Sequence, residues 1–354
     1  MQIGEKTRRC TLQDIAERTG FTINTVSRAL KDKDDISAAT KEHIKSVADE
    51  MGYVRNRAAS SLRSGRTKTI GVIVGGMSNP YYGIMTDAIQ NAAAALGYSI
   101  LIFCSHDNIE IERRAVETAL SYQVDGILLF PCFQSERTIA RLKAVGIPYV
   151  LMSRHLNHEE DDYVVTDDEA GGYLAARHLL EAGHTRLGYL STFDVVYCSE
   201  RRIRGFYRAL DEAGISRENG LIACCGGNTN LHQQLDAWRR DGVTGILSFC
   251  DAEAWNAVSY LQALGLAIPQ DMSIASFDNI QSILPIPVPL CSIGYSFTDI
   301  AQSGISLIRN RIHNPDLAPQ HVVYPPLLVC RGSCCTKDLP QQNITIPDLY
   351  SQSR

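Results

Sequence analysis

Two short amphipathic segments open the readable pattern, TLQDIAERTGFTINTVSRAL from Thr11 to Leu30. Leu12, Ile15 and Ala16 recur at i, i+3 and i+4, which predicts one apolar face of a helix. Gly20 predicts its left-handed end, since a residue without Cβ takes that conformation at no steric penalty. Thr22 predicts the cap of a second helix, with Val26, Ala29 and Leu30 on its buried side. Outward there remain Ile23, Asn24, Thr25, Ser27 and Arg28, short polar or branched side chains and one arginine, a set suited to base edges and phosphates in a major groove. A third helix is expected from Ser37 to about Met51, with Ile44, Val47, Ala48 and Met51 as its stripe and Gly52 as its stop. Asn56 then predicts the cap of one or two further turns, whose narrow apolar face is Ala58, Ala59 and Leu62. A helix this short is marginal alone, because nucleation is costly.

From Thr69 the pattern changes to apolar runs alternating with helical periodicity. Strands are expected at Ile70–Val74, Ser99–Cys104, Gly126–Phe130 and Pro148–Met152. A second series follows at Leu187–Ser191, Leu221–Ala223, Gly245–Phe249 and Ser273–Phe277. Helices fill the intervals, and the alternation specifies parallel sheets covered on both faces. Two such runs predict two Rossmann-like lobes. Open parallel sheets hold ligands at the carboxyl ends of their strands, so the residues there are the candidates for a cleft. They are Tyr81 and Tyr82 after GGMSNP, then Asp107, Phe130 and Ser153, with Arg202, Asp251, Asp278, Tyr295 and Phe297 from the second run. Carboxylates, an arginine and aromatic rings around one cleft suit a polyhydroxylated molecule. Each carboxylate or arginine taken singly also reads as a solvated strand end or a cap.

Charge sharpens the division. Through residue 68 there are 14 Lys and Arg against 9 Asp and Glu, and beyond it 20 against 30. A basic head on an acidic body suits a head that meets phosphate. The start of the chain has no apolar run, and no stretch approaches the ~18 apolar residues of a membrane helix, so a cytosolic protein without membrane contact is expected. The 11 cysteines are scattered and odd in number, which predicts reduced structural thiols rather than a disulfide framework or a metal site.

TLQDIAERTGFTINTVSRAL resembles the helix-turn-helix of the LacI/GalR family of bacterial transcription regulators, and the resemblance continues to about Ser333. It implies an all-α helix-turn-helix head (1–54), a hinge helix (55–68), and an effector-binding and dimerisation core (69–335). The core would be two discontinuous α/β lobes of periplasmic-binding-protein type, with the chain crossing between them three times; residues 336–354 would be a tail. The implied partners are palindromic double-stranded operator DNA, a second copy of the chain and a carbohydrate-like effector, without cofactor or metal. The implied DNA contacts are Thr11, Leu12, Ile23, Asn24, Thr25, Ser27, Arg28, Asn56, Ala59 and Leu62, the last standing where the family's minor-groove wedge stands. Arg202, in RIRGF, and Asp278, in SFDN, match effector-binding positions. Tyr81, Tyr82, Asp107, Phe130, Ser153, Tyr295 and Phe297 match other pocket positions; for Asp251 a structural hydrogen-bonding role stands beside ligand contact. Departures from the family, Cys250 before Asp251 and Ser153 before Arg154, leave the ligand open: a nucleobase or a protein corepressor is the alternative to a sugar, and activation the alternative to repression. An enzyme is not expected. There is no GxSxG, the position of GxGxxG holds GGMSNP, and the nine histidines are dispersed.

Overall fold

Three capped helices form the first unit: α1 (Leu12–Thr19), α2 (Ile23–Ala29) and α3 (Ala38–Glu50). The computed structural model describes residues 10–54, 65–156, 159–191, 197–225, 230–286, 288–334 and 343–344. Thr11 and Asp14 make a capping box on α1, the Thr11 N–H donating to Asp14 Oδ2 at 2.7 Å. Thr22 and Ser37 cap the next two helices through their hydroxyls. Gly20 ends α1 at φ 75. Ile15, Ala16, Val26, Ala29, Ile44 and Ala48 are the buried centre. A core this small leaves the unit only modestly stable. Asn56, Ala59 and Leu62, with nearly all of the expected hinge helix, lie outside the described residues.

The chain divides into two compact units, Met1–Thr67 and Lys68–Arg354. In the second, β1 (Thr69–Val74), β2 (Ser99–Cys104), β3 (Gly126–Leu129), β4 (Tyr149–Met152) and β5 (Tyr163–Thr166) make the first lobe's sheet with α4 (Pro80–Ala95), α5 (Ile109–Ser121) and α6 (Glu136–Val145). The second lobe contains α7 (Asp168–Glu181), β6 (Leu187–Ser191), α8 (Tyr197–Glu212), β7 (Gly220–Cys224), α9 (Leu231–Arg240), β8 (Gly245–Ser248), α10 (Asp251–Ala263), β9 (Ser273–Phe277) and β10 (Cys291–Gly294). The chain then returns through α11 (Phe297–His313) and β11 (His321–Tyr324) to the first lobe, and leaves again for β12 (Leu327–Val329) and β13 (Asn343–Ile344). Strand orders are β11-β5-β4-β3-β1-β2 and β13-β12-β10-β9-β8-β6-β7. The first sheet is parallel throughout; β12 and β13 add antiparallel to the second. The chain thus crosses between lobes three times, and the crossings are bonded to one another. Asp167 N–H donates to Tyr324 O at 2.9 Å, and Tyr324 Oη lies 2.7 Å from Ser303 Oγ and 3.0 Å from Asp299 O.

Several features correct the expectations from sequence. The sequence pattern predicts none of α11, β5, β10 and β11. β5 and β10 are four residues each, and β5 and β11 pair with each other across nearly half the chain. Residues 343–344, assigned to a tail, pair with β12. Among the described residues nine cysteines are free, but Cys330 is disulfide-bonded, against the expectation of reduced thiols throughout. The scattered spacing hid how the fold gathers the sulfurs near Cys330.

Candidate DNA-reading face and effector cavity

On the helical unit, Ile23 is 46% exposed, Asn24 and Arg28 are exposed, and Thr25 and Ser27 are half-buried. Arg28 forms an ion pair with Asp35. That contact holds Asp35 below the ordinary carboxylate range and occupies the Arg28 guanidinium. Thr25 Oγ1 bonds Thr22 Oγ1 at 2.9 Å. Thr11 is engaged in the α1 cap, and Leu12 packs on the apolar centre. The outward set on α2 is therefore Ile23, Asn24 and Arg28, flanked by Thr25 and Ser27.

In the second unit, the strand ends of the two sheets enclose a cavity of about 250 Å³. Of the anticipated residues, Tyr81, Tyr82, Asp107, Ser153, Arg202, Asp278 and Tyr295 line it. Phe130, Asp251 and Phe297 do not. Phe130 is covered by Tyr82, their rings 5.7 Å apart. Phe297, the first residue of α11, packs behind Tyr81 and Tyr295 at 5.6 and 5.5 Å. Asp251 is fully buried and clips the sheet together. It accepts from Ser276 Oγ, from Ser292 Oγ at 2.7 Å and from the Ile280 N–H at 2.8 Å. Here the structural role is the one the geometry supports.

Two buried arginines face the cavity from opposite lobes. Arg154 donates to Asp107 Oδ1 at 2.7 Å and to Pro131 O at 3.2 Å. Arg202 donates to Asp168 Oδ1 at 2.8 Å and to Phe249 O at 2.5 Å, and its guanidinium lies 3.8 Å from the Phe277 ring centre and 4.7 Å from that of Phe249. Burial works against the Arg202 charge, but the Asp168 carboxylate outweighs it and holds the group cationic. Burial drives Asp278 up to about 7; Arg202 opposes that rise and the Asp251 carboxylate adds to it. Tyr295 Oη donates to Asp278 Oδ1 at 2.9 Å, and the Tyr81 and Ser153 hydroxyls bond each other.

Backbone strain gathers in the same place. His106, Asp107, Ser153 and Asp278 all have positive φ, at 52, 49, 62 and 96, and all line the cavity. Non-glycine residues hold such conformations only where surrounding structure enforces them, and they mark functional sites disproportionately. The position of Arg202 depends on a close helix crossing. A Cβ on Gly172 of α7 would overlap the Arg202 carbonyl oxygen and come within 2.8 Å of its Cα, and one on Gly205 of α8 would overlap the Glu169 carbonyl.

The sequence reading missed Asp168 and left Arg154 out of the site. Asp168 follows β5, a strand that the sequence pattern does not announce. Arg154 follows Ser153 just past the end of β4, where a count of strand ends reaches it.

A family model described as bacterial regulatory proteins, lacI family, matches residues 11–56, and one for a periplasmic binding protein-like domain matches 176–334. The HTH-type transcriptional regulator DegA of Bacillus subtilis is 30% identical over 331 residues, spanning 91% of this chain and 97% of DegA. The chain belongs to the lacI family of bacterial transcription regulators. Among solved lacI-family structures, the lac repressor dimer bound to operator and the anti-inducer ONPF superposes with TM-score 0.79 at 22% identity, over 93% of this chain and all of that one, which shows the shared fold. A regulator from Enterococcus faecium with bound ribose superposes with TM-score 0.68 at 26% identity, over 75% of this chain and 98% of its own. This lacI-family chain is accordingly a DNA-binding transcription regulator and not an enzyme. No helix among the described residues is long and apolar enough to cross a membrane.

Proposed function

We propose that the protein is a homodimeric repressor whose operator affinity is set by a small polyhydroxylated effector of a single ring. The observation that carries the effector reading is the convergence of Arg154, Arg202, Asp107 and Asp278 on one cavity. Fixed guanidinium forks and carboxylates can donate to and accept from a ring of hydroxyls, and Tyr81, Tyr82 and Tyr295 add hydroxyls and aromatic faces. The volume of about 250 Å³ is about eight waters' worth, small for a drug-sized ligand and suited to a monosaccharide. The ribose held by the Enterococcus faecium relative supports that size class.

In this reading residues 1–54 read the operator, 55–68 form a hinge helix, 69–335 bind effector and dimerise, and 336–354 follow as a tail. Ile23, Asn24, Thr25, Ser27 and Arg28 enter the major groove, with Thr11 and Leu12 at the start of the domain beside it. Asn56, Ala59 and Leu62 serve the minor groove. Two heads on a dimer read two half-sites, and the effector acts through its different affinities for the DNA-competent and released states.

Calorimetry on the full chain against monosaccharides, sugar acids, phosphosugars and nucleobases tests the ligand class. The expected result is saturable binding of a monosaccharide or its acid, lost in Arg202→Ala, together with a change in affinity for a duplex selected from a random pool. Selective nucleobase binding would overturn the sugar assignment, and sedimentation of a monomer on bound duplex would overturn the dimer.

A further inference from the structure

A second constellation lies in the second lobe, and the effector cavity does not use it. His178 on α7, Cys291 at the start of β10 and Cys334 in the turn beyond β12 bring one nitrogen and two sulfurs within 4.8 Å of one another, all buried. Cys330 Sγ joins them, 3.2 Å from Cys291 Sγ and 3.5 Å from His178 Nε2. We propose that His178, Cys291 and Cys334 bind a zinc-class divalent cation, with Cys330 as the fourth ligand in the thiol-reduced protein.

Three arguments carry this. The donor set is the Cys₃His combination of closed structural zinc sites. Tetrahedral zinc with sulfur at ~2.3 Å and imidazole nitrogen at ~2.0 Å places sulfurs about 3.8 Å and sulfur and nitrogen about 3.5 Å apart. The observed spacings need adjustments of only a few tenths of an ångström to an ångström. The surroundings are also built to hold the donors. Ser333 Oγ accepts from the Cys291 N–H at 2.7 Å and donates to Ile274 O at 2.5 Å, which fixes the 330–334 turn on the sheet. Gly332, at φ 103, permits that turn. The Arg331 N–H donates to Cys291 Sγ at 3.3 Å, the kind of outer contact that orients a ligand. The Arg331 guanidinium donates to Leu290 O at 3.2 Å, beside the set. Zinc with three thiolates and a neutral imidazole carries one net negative charge, and this arginine offsets it.

In the structure Cys330 is disulfide-bonded. A small dithiol reductant opens that bond by exchange: its two sulfurs become a disulfide, two electrons pass to the protein sulfurs, and Cys330 leaves as a thiol. Metal entry then replaces thiol protons, which pass to the buffer. Completion of the tetrahedron is thus tied to reduction. The cation would fasten α7, β10 and the turn after β12 together, and α7 is the helix that begins with Asp168, the partner of Arg202.

The test uses the full chain, reduced with dithiol under inert gas, stripped by a chelator, and titrated with Co(II). One cobalt per chain is expected, with the intense visible bands of tetrahedral thiolate coordination, bleached by one equivalent of Zn(II). Cys291→Ser and Cys334→Ser should each weaken binding by at least tenfold and lower the band intensity. Cys104→Ser, in the other lobe, should change neither. If the serine variants fail to fold, wild-type melting decides: zinc should raise Tm in the reduced protein and raise it less in the oxidised one. Absence of tetrahedral bands, an identical spectrum in Cys334→Ser, or a Tm indifferent to zinc after reduction would each overturn the proposal.

Discussion

Effector binding should release a proton, and Asp278 should be its source. In the ligand-free protein burial places this carboxyl at about 7, with Arg202 pulling it down, Asp251 and Asp168 pushing it up, and Tyr295 donating to it. A hydroxyl donated by a sugar favours the carboxylate, so the bound form is ionised. Affinity then follows the ionised fraction of the free protein, about 0.9 at pH 8, 0.5 at pH 7 and 0.09 at pH 6, a fall of about tenfold from pH 8 to pH 6. The protons released are the complement, about 0.1, 0.5 and 0.9. Calorimetry in buffers of different ionisation enthalpy measures this number as the slope of heat against buffer enthalpy. Asp278→Asn should bind more weakly, with a flat profile and no released proton. Proton uptake on binding, or a wild-type pH profile retained by Asp278→Asn, would refute the reasoning. Folding shows the opposite sign. The folded state favours the protonated acid, so this group's contribution to stability is complete below pH 3.8 and is lost as pH rises to about 7. The ligand-free core should melt lower across that window.

Other expectations follow from packing and charge. Gly172→Ala forces α7 and α8 apart at Arg202. Overpacking of this kind costs about 1–3 kcal/mol, and because the shift moves Arg202 itself, effector affinity should fall more than tenfold, which melting and calorimetry would read. Asp251→Ala strips Ser276, Ser292 and the Ile280 N–H of a buried acceptor, a loss of about 3 kcal/mol or about 6–12 °C in Tm. Effector affinity should change less than about threefold, and a larger change would make Asp251 a ligand contact after all. Arg28→Ala should weaken binding to a selected duplex and reduce the slope of log affinity against log salt by about one. Asp35→Asn, which frees Arg28, should strengthen binding by at most about fivefold. Equal effects of both variants in the same direction would refute the competition.

The helical unit was legible nearly to the residue. Thr22, Ser37 and Gly20 act through the backbone a few positions away, and the window that forms an element also contains its signals. The long parallel strands were legible for the same reason, as unbroken apolar runs. What escaped depends on distance along the chain. Tyr163–Thr166 is strand because β4 and β11 flank it, and two buried valines between half-buried ends carry too little pattern to announce that. The cavity was partly legible because strand ends can be counted. Whether a strand-end side chain faces the cavity or the core is set by tertiary packing, which put Phe130 and Phe297 behind the tyrosines. The sulfur cluster was invisible for a related reason: its members come from three elements, and only Cys330 and Cys334 lie close together in sequence.

The three bonded crossings have a mechanical consequence. One tether would let the lobes swivel about any axis, as beads on a string do. Three tethers side by side, tied by Asp167 to Tyr324 and by Tyr324 to Ser303 and Asp299, resist twist and sideways slip and leave bending as the soft coordinate. Work done by a ligand in the cavity is therefore channelled into opening and closing. No crossing can be severed without surrendering that guidance, so a nick near Thr166 should leave a molecule that still holds together but whose lobes turn against each other with an extra freedom.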